Sequence, residues 1–156
     1  NSYIDNSEKS PGFKFAEAEV YGIPVRIEIG ARDLEQNKIT FARRDTREKL
    51  VEDKNINVVE YVKNLLETIQ KDMYDRAVER RDKLTFTAKN YDEMKAILDK
   101  QPGFIHGDWC GDVECENKIK ELKGCKSRCI IDEPLITGKC VCCGRDAKHH
   151  VIWGIQ

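Results

Sequence analysis

Several things are missing from this sequence, and each absence narrows what it can be. No apolar run approaches the roughly 18 residues that a membrane-spanning helix needs, and no secretory signal pattern opens it. Neither sign of charge is in excess: 27 Lys and Arg stand against 28 Asp and Glu, a formal net charge of −1. Whole-molecule electrostatics therefore give no sign of nucleic-acid binding, and any such function has to come from local patches and base contacts. There is no internal repeat and no low-complexity segment. Cysteine is absent from the first 109 residues, and all seven cysteines lie from Cys110 to Cys143. An odd number of thiols at short intervals, with no secretion signal, points to reduced cysteines around a metal rather than a disulfide framework, and so to a cytoplasmic protein.

What is present fits a globular chain of one domain or two small ones: 156 residues, 40% hydrophobic and 35% charged. Residues 1–12 are polar and close on Ser10-Pro11-Gly12, which reads as a loop. Residues 13–21 suit a short helix stopped by Gly22 and Pro24. Val25, Ile27 and Ile29 alternate with Arg26 and Glu28, the signature of a half-buried strand, and further strands are expected over residues 38–43 and 49–51. From residue 57 to 82 the period changes. Val58, Val62, Leu65, Ile69, Met73 and Ala77 recur at three- and four-residue steps, predicting an amphipathic helix roughly 40 Å long. Asn90 with Glu93 resembles a capping box for a helix running to Lys100. Beyond Pro102, strands are expected at 104–105, 128–131 and from His150 onward, with a helix over 114–122.

Cys110 and Cys115 form one short cysteine pair, and Cys140 and Cys143 form another. Two such clips brought together supply the four ligands of tetrahedral zinc, and Gly111 and Gly144 supply the tight turns beside them. Four thiolates leave no open coordination position, so the expected site is structural rather than catalytic. Alternatives remain at this point: Cys125 with Cys129 is a competing pair, and His149 or His150 could replace a cysteine.

Between Phe13 and Lys49 aromatic, basic and acidic side chains are interleaved: Phe13, Phe15, Glu19, Arg26, Arg32, Asp33, Arg43, Arg44 and Lys49. RNA loops are read by stacking unpaired bases on aromatics and by hydrogen bonds to base edges. Arginine suits the O6/N7 edge of guanine, and a carboxylate accepts from its N1 and N2 hydrogens. The bland alternative is a solvated mixed-charge face.

The order of motifs goes further. Ser10-Pro-Gly-Phe-Lys-Phe15, the run from Tyr21 to Gly30, Arg32-Asp33-Leu34 and Arg43-Arg44-Asp45-Thr46 resemble the anticodon-binding domain of archaeal- and eukaryotic-type prolyl-tRNA synthetases. The run from Trp109 to Cys115, then Arg128-Cys129-Ile130 and the run from Gly138 to Gly144, resemble that family's C-terminal zinc domain. The resemblance covers nearly the whole chain, in the family's order.

It implies an α/β fold: a mixed-sheet anticodon-binding domain over residues 1–84, incomplete at its start, joined by a long helix to a small α/β zinc-binding domain over 85–156. Proline anticodons carry two guanines, and the resemblance assigns their reading to Phe15 by stacking, to Arg26 and Arg32 by guanine or phosphate contacts, and to Glu19 and Asp33 by base-edge acceptance. Lys49 is a backbone contact on an alignment that needs a one-residue shift. Each also has a plain structural reading, Phe15 as core and Arg26 as the exposed side of its strand. The family's zinc ligands fall on Cys110, Cys115, Cys140 and Cys143.

The intact family enzyme is a proline–tRNA ligase that uses ATP and Mg²⁺, acts as a homodimer, and binds proline tRNA rather than DNA or a membrane. As given, the sequence lacks the family's preceding strand and helix and its catalytic motifs, so this chain alone is expected to be non-catalytic. It also ends at Gln156, where the family has an aromatic residue. A rival reading is a non-catalytic, synthetase-like module that binds RNA or protein for regulation.

Overall fold

The computed structural model describes residues 2–131 and 134–155; Asn1, the start of the polar opening, and the terminal Gln156 lie outside them. The chain forms two compact units that divide between Ala77 and Val78, inside the long helix that carries it from one to the other.

In the first unit, helix α1 (Pro11–Val20) begins earlier than expected. Ser10 is its N-cap, its hydroxyl accepting from the Phe13 amide at 3.4 Å. Pro11 takes the first helical position, where a fixed φ and a missing N–H cost nothing. Ser10-Pro11-Gly12 therefore opens a helix instead of closing a loop. Strands β1 (Val25–Glu28), β2 (Lys38–Arg43) and β3 (Lys49–Asp53) form an antiparallel sheet in that order. Between β1 and β2 lies a five-residue helix, α2 (Ala31–Glu35), which the sequence pattern did not reveal.

The register sorts side chains onto two faces. Phe41 stands opposite Ile27 and Leu50, while Ala42 stands opposite Arg26 and Lys49. Ile39 and Phe41 pack with Val25 and Leu50 against Leu65, Ile69, Tyr61 and Val62 of helix α3 (Val58–Lys83). Arg26, Glu28, Thr40, Ala42 and Lys49 occupy the other face, toward α1.

Arg43 sits on the α3 face, and its side chain is only 9% exposed. A desolvated guanidinium requires carboxylates. It donates to both oxygens of Asp45, at 3.0 and 2.9 Å, and to Asp72 of α3 at 2.7 Å. Arg76 reaches Asp45 as well, at 2.9 Å. This network ties the β2–β3 turn to the long helix.

The second unit holds β4 (Thr85–Thr87), α4 (Tyr91–Lys100), β5 (Phe104–Trp109), α5 (Val113–Lys120), β6 (Lys126–Ile131) and β7 (His149–Gly154). Its sheet runs β4-β5-β7-β6, parallel between β4 and β5 and antiparallel elsewhere. Strand β4 was not expected from the sequence: three residues are too few to show a period. Helix α4 is the crossover that a parallel pair requires, and it is capped as expected by Asn90, whose side chain accepts from the Glu93 amide at 2.9 Å. Gly103 is needed where β5 starts, because a Cβ there would meet the Leu84 carbonyl oxygen at 2.5 Å. Met94, Ile105, Ile119, Val151 and Trp153 are fully buried in the core, and Cys125 lies among them.

The Asp45 network makes a pH-dependent contribution with a definite sign. Hydrogen bonds from Arg43, then Arg76, outweigh burial and lower the carboxyl from its ordinary 3.8 to about 2. Its stabilisation is therefore complete from about pH 5 upward and is lost as the pH falls through 3.8 toward 2. From that shift, Asp45→Asn is expected to destabilise the first unit by about 2 kcal/mol at pH 7. Urea unfolding of both proteins at pH 7 and pH 2.5 checks this: the gap between them should shrink at the lower pH.

Candidate nucleic-acid interface and metal centre

On the sheet face away from α3, one aromatic ring and three charged side chains meet. Phe15 projects from α1, Arg26 and Glu28 from β1 two residues apart, and Lys49 from β3 in the same cross-strand row as Arg26. The Arg26 guanidinium carbon lies 4.1 Å from the centre of the Phe15 ring, and Lys49 Nζ is 5.5 Å from the same centre, both at cation–π range. Arg26 donates from Nε and Nη2 to Glu28 Oε1 at 3.0 and 2.8 Å. Lys49 donates to Glu28 Oε2 at 2.7 Å. Burial works to raise the Glu28 carboxyl, but the hydrogen bonds from Lys49 and Arg26 outweigh it and hold it below the usual carboxylate range.

A recess beside this cluster is lined by Glu19, Arg26, Arg44, Arg47 and Lys49. Arg44 anchors the end of α1 by donating from Nε to the Glu19 carbonyl at 3.0 Å. Of the six residues selected from the sequence, Phe15, Glu19, Arg26 and Lys49 thus come together here. Arg32 and Asp33 lie apart on α2. Asp33 Oδ2 accepts from the Gly30 amide at 2.9 Å, and Arg32 makes no side-chain hydrogen bond or ion pair among the described residues. Sequence reasoning missed Glu28. Opposite charges at positions i and i+2 of one strand share a face, and that spacing is the signal that could have found it.

In the second unit the thiols of Cys110, Cys115, Cys140 and Cys143 lie within 4.8 Å of one another. Cys110 directly follows β5, Cys115 sits in the first turn of α5, and the other two lie in the turn before β7. The Cys110 sulfur is 3.7 Å from that of Cys115 and 3.8 Å from that of Cys143. Four sulfurs at about 2.3 Å from a tetrahedral zinc stand about 3.8 Å apart, so the spacing fits such an ion. Gly111 and Gly144 both have φ in the left-handed region, +88° and +72°, as the tight turns beside the ligands require.

The competing candidates are engaged elsewhere. Cys125 is buried in the apolar core, and Cys129 is exposed on β6. His150 Nδ1 pairs with Asp108 Oδ1 at 2.7 Å, and its Nε2 faces His106 Nδ1 at 3.0 Å. The same Asp108 accepts from the amides of Thr137 and Gly138 at 2.8 and 3.2 Å, holding the turn ahead of Cys140 to β5. Trp109 and His149 lie with ring centres 5.7 Å apart.

Arg145 was not foreseen. It donates to Cys143 Sγ at 3.2 Å and to Asp112 at 2.5 Å. Burial raises the Cys143 thiol, but the hydrogen bonds from Arg145 outweigh it and bring it to about 6. Burial pushes the Cys115 thiol up. Sulfurs this close cannot all ionise without a further cation, which is what a bound metal supplies.

Comparisons with known proteins agree with both halves. A family profile described as "Anticodon binding domain" matches residues 1–72, and one described as "Prolyl-tRNA synthetase, C-terminal" matches residues 91–156. The proline–tRNA ligase of Clostridium novyi (strain NT) is 47% identical over 152 residues, covering 97% of this chain and 32% of that protein. The proline–tRNA ligase of Lachnospira eligens is also 47% identical, with the same coverage. The crystal structure of the prolyl-tRNA synthetase from Cryptosporidium parvum, complexed with L-proline and AMP, superposes with a TM-score of 0.80 at 29% identity, over 97% of this chain and 32% of that one. The chain therefore spans about a third of the length of the curated relatives it matches. It belongs to the prolyl-tRNA synthetase family, of which it carries the anticodon-binding and C-terminal domains.

Proposed function

We propose that this chain reads the anticodon of proline tRNA, with residues 1–84 as the reading domain and 85–156 as a zinc-stabilised domain. The observation that carries this reading is the Phe15–Arg26–Lys49 cluster on the sheet face away from α3, within the segment matched as anticodon-binding. Phe15 offers a ring on which an unpaired base stacks, Arg26 offers paired donors for the O6/N7 edge of guanine, and Lys49 offers a charge for phosphate. Glu19, Arg32 and Asp33 are assigned as further contacts to the loop. Arg26 already lies on the Phe15 ring, so guanine recognition needs either a base stacked outside the guanidinium or a shift of Arg26 off the ring.

The intact protein would attach proline to its tRNA using ATP and Mg²⁺, as a homodimer in the cytoplasm. Anticodon binding energy would then help place the acceptor end for a reaction at a distant site. Zinc would be held by Cys110, Cys115, Cys140 and Cys143, joining the end of β5 and the start of α5 to the turn before β7. With four thiolates its coordination shell is closed, so its contribution is to folding.

Two outcomes are expected. In titrations at fixed salt, the chain should bind proline tRNA more tightly than the same tRNA with both anticodon guanines replaced. Arg26→Ala should cost roughly 1–3 kcal/mol for the first tRNA only. Lys49→Ala should weaken both alike and reduce the salt slope by about one. Equal binding of both tRNAs by the unmodified chain would overturn the reading. For the metal, purified protein should carry about one zinc per chain, and Cys140→Ser should carry almost none. Both tryptophans, Trp109 and Trp153, lie in the second unit, so their fluorescence should report its loosening in that variant. Full zinc content in Cys140→Ser would place the metal on other ligands.

A further inference from the structure

We propose that Glu28 is a specificity-determining positioning residue, a carboxylate that sets Arg26 and Lys49 for base readout without itself meeting the RNA. This rests on the anticodon reading above and adds a residue to it that neither the cysteine and arginine spacing nor the family resemblance singled out.

The hydrogen-bond inventory of one guanidinium carries the argument. Arginine has five N–H donors: one on Nε and two on each terminal nitrogen. Glu28 Oε1 takes the Nε side, receiving Nε at 3.0 Å and Nη2 at 2.8 Å. Both bonds go to one oxygen, so the other, Oε2, is free to hold Lys49 at 2.7 Å. What remains on Arg26 is its far end, one Nη2 hydrogen and the two on Nη1. Among the described residues, the one hydrogen-bond partner at that end is the Phe15 carbonyl, at a long 3.4 Å from Nη1. Paired donors at that end match the paired acceptors O6 and N7 of guanine.

Placement supports the same role. Arg26 and Lys49 line the recess, whereas Glu28 is not among its lining residues. Its side chain is 14% exposed, against 20% for Arg26 and 53% for Lys49. Glu28 thus lies deeper than Lys49 and at a depth close to that of Arg26. It also adds a negative charge beside a surface meant for a polyanion, which would lower affinity for any RNA. The gain that offsets this is geometric: a guanidinium held over a ring by a carboxylate loses less rotamer entropy when it grips a base.

The test measures discrimination, not affinity alone. Two synthetic RNA hairpins serve as probes, one with the two anticodon guanines in its loop and one with both replaced by adenine. They are titrated at one stated salt concentration against the unmodified chain, Glu28→Gln and Glu28→Ala, with thermal melts confirming that each variant is folded. Glu28→Ala should lose about tenfold of the discrimination between hairpins, while binding the adenine hairpin as tightly as before or more so. Glu28→Gln keeps an acceptor oxygen of the same reach and should retain part of the discrimination. General loosening of the fold would weaken both hairpins alike and leave their ratio intact, so an unchanged ratio overturns the proposal, whether both affinities rise or fall together. If the unmodified chain itself fails to discriminate, the anticodon reading fails, and this proposal falls with it. If the chain discriminates but Glu28→Ala does so equally well, the reading stands and only the role of Glu28 is refuted.

Discussion

A cation taken out of water must find a carboxylate, and that constraint organises both faces of the first unit's sheet. Toward α3, Arg43 is almost wholly enclosed and is answered by Asp45 and Asp72. Toward α1, Arg26 is answered by Glu28, and α1 closes over it through Phe15. The two arrangements differ in what they leave free. Arg43 donates to three carboxylate oxygens on two residues, so it serves to join the β2–β3 turn to the long helix. Arg26 spends one side on one oxygen and keeps its far end. Residues on neighbouring strands, with the same side chain, are thus separated into structure and candidate function by how completely their donors are used.

The second unit meets the same constraint in a different form. There the groups brought together are sulfurs, which as thiolates repel one another and are each weakly served by hydrogen bonds. Arg145 provides one positive charge at the edge of the cluster, and burial of Cys115 works against ionisation. A divalent metal resolves the conflict for all four at once. The cost of gathering the thiols is spread over the fold: the end of β5 and the start of α5 supply one pair, and Asp108 pins the turn leading to the other. Asp108 is in turn oriented by His150, a residue that spacing alone offered as a possible ligand.

Long-period features of this fold were readable from the sequence. The 26-residue α3 and the strand at 38–43 emerge with their bounds within a residue of those expected, because periodicity accumulates over such lengths. The five-residue α2 and three-residue β4 did not. Neither spans enough residues for a pattern, and β4 exists through its pairing with β5 across an intervening helix. That four of the cysteines would gather was legible because two short cysteine clips with adjoining glycines leave few alternatives. The face around Phe15 was legible only residue by residue. Phe15, Arg26 and Lys49 could be named, but their meeting depends on the strand register and on α1 folding over the sheet. Glu28 reads from the sequence as an ordinary polar position in an alternating strand, and Arg145 as an ordinary surface charge.

The central claim is that guanine is read at the free end of Arg26, over Phe15. Nuclear magnetic resonance of the arginine side-chain Nε–H groups tests it directly, by adding a guanine-bearing anticodon hairpin to labelled protein at fixed salt. The account predicts a large shift of the Arg26 signal, absent when Arg26→Lys removes it and much smaller with the adenine hairpin, while the Arg43 signal in its closed network stays in place. Arg26 and the exposed arginines shifting by the same small amount with both hairpins would contradict it, and would make this face a general electrostatic surface.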